Sequence, residues 1–228
     1  MAIGNYSELK TAVANWLNRD DLTDRIPEFI VLAEARFNRA LRIRAMEGLY
    51  TANTVKDQRN YNLPTNYLQM RSFRINQDPK IALSYVTPEI MNRIWAGSDV
   101  GIPRAYTIMA NDLFLGPSPS AIYEMEMDYY RKFDPLSTST STNWVITNAP
   151  DLYLYGALLE AEPFIMNDAR TALWSGAFYK AIEDIQLQDS KDRHSGSEMR
   201  VLNTSGYPLW PLHQFHGVAL TLPLTGMS

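Results

Sequence analysis

The sequence predicts an α+β protein. A helical bundle is built from both ends of the chain, a mainly antiparallel β domain is inserted between them, and an extended arm follows at the C-terminus. Three observations carry this. Apolar residues recur at three- and four-residue steps in the first 45 or so residues and again from Asn148 to Arg193. Between Leu49 and Phe133 the period drops to two. Beyond Gly196 neither period persists, yet large apolar side chains continue. The resulting boundaries are residues 1–46 and 145–195 for the bundle, 47–134 for the β domain, 135–144 for a linker and 196–228 for the arm.

The chain begins with Asn5 and, three residues on, Glu8, the spacing of a capping box. Tyr6, Leu9, Val13, Trp16 and Leu17 then form a short apolar stripe, with Trp16 expected in the core. Asn18 to Asp21 reads as a turn, and Asp24 as the cap of a second helix with Pro27 in its first turn. Ile26, Ile30, Ala33, Phe37, Ala40 and Leu41 supply that helix's long apolar face, and Phe37 is also expected in the core. Arg36, Arg39 and Arg42 form a row on another face. Such a row is either a solvated face or a contact surface for an acidic partner subunit.

The β-prone runs are Leu49–Val55, Asn60–Leu63, Tyr67–Ile75, Ile81–Val86, Ala105–Met109, Leu113–Leu115 and Ile122–Phe133. The last alternates most clearly. Tyr123, Met125, Met127 and Tyr129 share one face, and Glu124, Glu126, Asp128 and Tyr130 share the other. One short helix interrupts the strands, capped by Thr87, opened by Pro88 and apolar at Ile90, Met91, Ile94 and Trp95.

Residues 135–143 contain STSTSTN, a hydroxyl-rich composition that suits a loop or linker, or alternatively an edge strand. A helical hairpin follows. Pro150 opens its first helix after Asn148 or Ala149, with Leu152, Tyr155, Leu158 and Leu159 as the stripe. Pro163 ends or kinks it, Asn167 or Asp168 restarts it, and Trp174, Phe178, Ala181, Ile182 and Ile185 form the second stripe. The arm carries Tyr207, Trp210 and Phe215 between prolines. A disordered tail normally has low hydrophobicity, so this one is expected to lie on a partner or on its own body. The three aromatics are the candidate anchors.

Composition narrows function. The formal net charge of −4 argues against a general nucleic-acid binder, so Arg19, Arg25, Arg36 and Arg39 are not read as phosphate contacts. No cysteine is present, so disulfides, thiolate chemistry and cysteine-ligated metals are excluded. No signal-like segment opens the chain, and no apolar run reaches the ~20 residues of a membrane helix. Catalytic signatures are missing: GSDVG at Gly97–Gly101 has its serine one place early for a nucleophile elbow. His213 and His216 lie among prolines with no carboxylate close by. Glu160 and Glu162 are two apart on a helix and point to different sides. The expectation is no catalytic, cofactor or metal site. A hydrolase using Glu160 or Glu124 is the enzymatic alternative. A glycan- or protein-binding module using Tyr129, Tyr130 and Trp144 as exposed aromatics is another.

Three stretches carry a family resemblance: AEARFNRALR, PDLYLYGALLEAEPF and the DAR…LW…Y.KAI segment, with an NLP turn at Asn62–Pro64 between them. Over roughly residues 5 to 200 the chain resembles the head-to-tail adaptor (connector) proteins of tailed bacteriophages, particularly short-tailed ones. The segment beyond Val201 departs from that pattern. The resemblance implies a non-enzymatic virion protein of the neck, assembled in the host bacterial cytoplasm. It implies a ring, commonly of twelve copies, docked below the portal protein. That ring extends the DNA channel without sequence readout and receives the tail or nozzle.

Overall fold

The computed structural model describes residues 3–95, 99–165 and 169–193. Helix α1 spans Tyr6–Leu17 and α2 Ile26–Ala40; strands β1 (Glu47–Asn53), β2 (Asn60–Asn62), β3 (Tyr67–Ile75), β4 (Ile81–Ala82) and β5 (Ser84–Tyr85) follow. After α3 (Pro88–Ile94) come β6 (Val100–Gly101), β7 (Ala105–Met109), β8 (Asp112–Gly116), β9 (Ser118–Pro119) and β10 (Glu124–Arg131). The chain then returns to helices: α4 (Trp144–Asn148), α5 (Pro150–Glu160), α6 (Glu162–Ile165) and α7 (Arg170–Arg193). The protein is α+β.

Local chemistry sets the helix starts. The Asn5 side chain accepts from the Glu8 N–H at 2.9 Å, and the Glu8 carboxylate reaches back to the Gly4 N–H at 2.7 Å. Thr87 and Asn143 cap α3 and α4 in the same way. Asp24 does not cap α2. A 3₁₀ helix over Asp20–Arg25 runs straight into it, and Arg25 is already helical, so α2 has no side-chain cap. Pro163 falls within α6, directly after α5 ends. The Asn167/Asp168 restart lies outside the described residues. Residues 137–143 form no strand; Asn143 and the Ser137–Thr140 turn organise them as a loop.

Within Met1–Asp189, which forms one compact unit, there are two apolar clusters. One draws α1, α2, Leu41, Ile43 and Met46 together with Leu136, α4, α5 and α7. Helix α5 lies at its centre. Leu152, Tyr153, Leu154, Gly156, Ala157 and Leu158 are all buried, so this helix has no single apolar stripe. Gly156 explains how its neighbours come so near. A Cβ there would sit 3.0 Å from Ala33 Cβ on α2 and 3.0 Å from Phe178 Cε2 on α7. Trp16, expected in the core, is 45% exposed, and its ring meets Tyr155 in a T-shaped pair with centroids 6.0 Å apart.

The second cluster lies between two sheets, ordered β1-β10-β3-β4 and β2-β8-β7-β5. Phe73 on β3 and Tyr106 on β7 meet edge to face at 5.3 Å. Met125, Met127 and Tyr129 point into this core, as the alternation of β10 predicts. Most pairings are antiparallel, and β5–β7 and β6–β9 are parallel. The two-residue strands β6 and β9 are too short to show a period in the sequence.

One buried carboxylate links the chain's two ends. Glu34 Oε1 on α2 accepts from the Leu136 N–H at 2.8 Å and the Tyr153 O–H at 2.9 Å. Asn143 donates to the Tyr153 oxygen at 2.6 Å and to the Asp134 carbonyl at 2.8 Å. Burial pushes the Glu34 carboxyl above its usual range, while the bonds from Leu136 and Tyr153 pull it back. The Tyr153 hydroxyl is held well above its ordinary value by burial and by Glu34.

Two expected outcomes follow from this packing. Phe37→Ala loses about 3–5 kcal/mol in denaturant unfolding, because Phe37 is fully buried. Trp16→Ala loses only about 1 kcal/mol, the order of one aromatic pair; equal losses would refute the assignment. For Glu34 the folded pKa is raised, so its contribution is full below the ordinary carboxyl pKa and is lost as pH rises through the folded value. Wild type therefore loses stability relative to Glu34→Gln as pH rises above the ordinary carboxyl range. A pH-independent difference between the two unfolding free energies would contradict this.

Candidate partner-binding surfaces

The three arginines singled out from the sequence have different surroundings. Arg36 pairs with Glu160 at the end of α5, joining α2 to α5. Arg42 lies past the end of α2, where it donates to the Asn38 carbonyl at 2.8 Å and to Gln69 Oε1 at 3.1 Å. Arg39 is exposed and has no ion pair or hydrogen bond among the described residues. The row is therefore not one face: two members brace the fold and one faces outward. Arg19 and Arg25 are also paired, with Asp21 and Glu28.

Arg39 borders an open groove of about 590 Å³ that runs between α2 and the segment leaving β10. Val31, Asn38, Asn66, Lys132 and Phe133 are among its walls. Glu34 lies at its inner side, already bonded to Leu136 and Tyr153. Next to the groove Phe133 stacks on Trp144 with ring centroids 5.7 Å apart. Trp144 is partly exposed, but that stacking occupies one of its faces. Tyr129, expected as an exposed aromatic, is buried in the sheet core, and its hydroxyl donates to Asn66 at 3.0 Å. It is therefore not available to stack on a glycan.

The outer face of the β1-β10-β3-β4 sheet is a ladder of charge. Arg74 contacts Glu126 and Asp128, both at 2.6 Å, and Lys80 contacts Glu126 at 2.9 Å. Asn76 donates to Glu124 at 2.6 Å, and Arg71 pairs with Glu47. Lys80, then Arg74, hold the Glu126 carboxyl below its usual range; Arg74, then Ser72, do the same for Asp128. A general acid at neutral pH needs the opposite shift. These carboxylates form the solvated, self-neutralised face of a strand.

Sequence reasoning missed the outer face of α7. Trp174, Phe178, Ala181 and Ile182 are buried as expected. On the opposite side Leu173 is 70% exposed, and Tyr179 and Leu187 are also exposed. The signal was present as apolar residues out of phase with the stripe, but a strong stripe hides a weaker one. Tyr207, Trp210 and Phe215, with His213 and His216, lie outside the described residues. So does part of the GSDVG loop. Among the described residues no group of three His, Asp or Glu is placed to hold a metal. No helix there is long and apolar enough to cross a membrane.

A family model described as SU10 adaptor protein matches residues 4–202, most of the chain. No curated protein matches it. The match spans both helical ends and the whole β region, in agreement with the extent of the sequence resemblance. The chain belongs to the SU10 adaptor protein family, a family of phage head-to-tail adaptors.

Proposed function

We propose that this chain forms a closed homo-oligomeric ring, of twelve copies, between the portal and the tail of a phage particle. The ring continues the DNA channel and presents the attachment site for the tail or nozzle. It works by assembly, without catalysis, and DNA passes through it without sequence readout. The observation that carries this reading is the family match over residues 4–202. The side chains support it. Glu160, a candidate for the enzymatic alternative, is tied to Arg36, and Glu126 and Asp128 to Arg74, while Glu124 accepts from the Asn76 amide. Assembly takes place in the host bacterial cytoplasm, and the mature site is the virion neck.

In this reading residues 1–46 and 145–195 are the bundle domain and 47–134 the inserted β domain. The two apolar clusters support that division, since the buried members of one come from both ends and the buried members of the other lie within residues 63–129. The arm from residue 196 grips the portal or an adjacent subunit through Tyr207, Trp210 and Phe215. Its prolines reduce the entropy lost on ordering.

Mixing the purified protein with portal rings and imaging the product by cryo-EM tests the central claim. A ring of this chain beneath the portal is expected. A protein that stays unbound, or that cleaves peptidoglycan and loses the activity in Glu124→Gln or Glu160→Gln, would overturn it. A chain truncated after Arg200 should remain folded and dock at least tenfold more weakly. Unfolding of the truncated chain, or unchanged docking, would remove the arm from the model.

A further inference from the structure

Two helix faces each set exposed apolar side chains beside a charged group that has no ion pair among the described residues. On α7, Leu173, Gly176, Lys180, Glu183 and Leu187 fall on one side by helical spacing, opposite Trp174, Phe178, Ala181 and Ile182. Tyr179 flanks them. Gly176 stands apart among them. A glycine inside a helix destabilises it relative to alanine. At Gly156 the close approach of α2 and α7 requires the missing Cβ. At Gly176 an added Cβ would meet nothing within 4 Å, so the described residues give no reason for it. It leaves a shallow notch between the exposed Leu173 and Tyr179.

The second face belongs to α2. Glu28, Val31, Leu32, Ala35 and Arg39 share the side opposite Phe29, Ile30, Ala33 and Phe37. Val31 is 57% exposed, and Leu32 is exposed beside it. Arg39 and Glu183 both lack an ion pair among the described residues. At a rise of 1.5 Å per residue, Val31 and Arg39 are about 12 Å apart along α2, and Gly176 and Glu183 about 10 Å apart along α7. Laid parallel, the helices bring the apolar pair over the notch and the free guanidinium beside the free carboxylate. The same alignment puts Ala35 opposite Lys180.

We propose that the outer face of α7 docks the outer face of α2 from a second copy of this chain. Val31 and Leu32 seat at Gly176, and Arg39 pairs with Glu183. The proposal rests on the ring reading and supplies its lateral contact. The contact is heterologous: each subunit offers its α7 face to one neighbour and its α2 face to the other, as ring closure requires. The apolar seat provides most of the attraction, and the charge pair fixes register and excludes slipped alignments.

Because the chain has no cysteine, cross-linking reports the contact directly. Ala35→Cys and Lys180→Cys chains are oxidised separately and as a mixture, alone and on portal rings. A covalent dimer is expected in the mixture and in neither chain by itself. Arg39→Glu and Glu183→Arg should each raise the concentration needed for half assembly at least tenfold. The double variant Arg39→Glu/Glu183→Arg should return it to near wild type. Gly176→Leu should block assembly without lowering the thermal midpoint of the monomer. Cross-linking of either single variant with itself overturns the proposal, as does no cross-link in the mixture or a double variant as weak as the singles. If wild type forms rings while all these variants assemble equally well, this contact is wrong and the ring reading stands. If wild type stays monomeric with and without portal, both fall.

Discussion

Glu34 accepts from Leu136 and from Tyr153, and through that one oxygen three distant parts of the chain are held in register. It comes from the second helix, Leu136 from the loop that leaves the β region, and Tyr153 from the central helix α5. A buried carboxyl without partners would be expensive; with two donors it becomes a specific joint. Asn143 extends the joint, since the same residue caps α4 and holds the Tyr153 hydroxyl and the Asp134 carbonyl. The returning chain is thereby delivered to α5 at one angle. Gly156, one turn along α5, then admits Ala33 and Phe178 to near-contact distance. Polar geometry sets the register, and the missing side chain sets the spacing.

Much of the fold was legible from period alone. The alternation of β10, the core face of α2 and the Trp174–Ile182 stripe are each set by one wet side and one dry side, which is the signal that periodicity measures. The same logic explains the failures. Helix α5 is dry on nearly every side, so its four-residue stripe understated its burial. Trp16 kept the spacing of its helix's apolar face but lies at its margin, half-exposed, with its ring against Tyr155. Asp24 had the chemistry of a cap, but the preceding 3₁₀ turn left no extended residue for a cap to occupy.

The candidate surfaces were less legible, because a charged residue's role depends on partners that sequence spacing does not reveal. Arg36 and Arg39 look alike in the sequence. One is tied to Glu160, far along the chain, and the other faces solvent at the groove. Lys132 drew no attention in a segment read as the end of a strand, yet it stands across the groove from α2. The acidic strand face, by contrast, could be foreseen as solvated but not as neutralised. That required the antiparallel register that puts Arg74 opposite Glu126 and Ser72 opposite Asp128.

The bundle and the sheets meet through more than a linker, and this bears on how an adaptor subunit can work. Leu68, Tyr130 and Phe133, from the β region and the segment leaving it, pack on the helical core. Asn38 on α2 accepts from the Phe133 N–H at 3.2 Å, and Arg42 reaches Gln69 on β3. On β3, Arg71 stands over the Tyr130 ring at 5.5 Å and pairs with Glu47 on β1. Sliding the sheets against α2 would have to break apolar contacts and hydrogen bonds together, and close-packed interiors transmit strain rather than absorb it. A partner that fixes the helices therefore also orients the sheets.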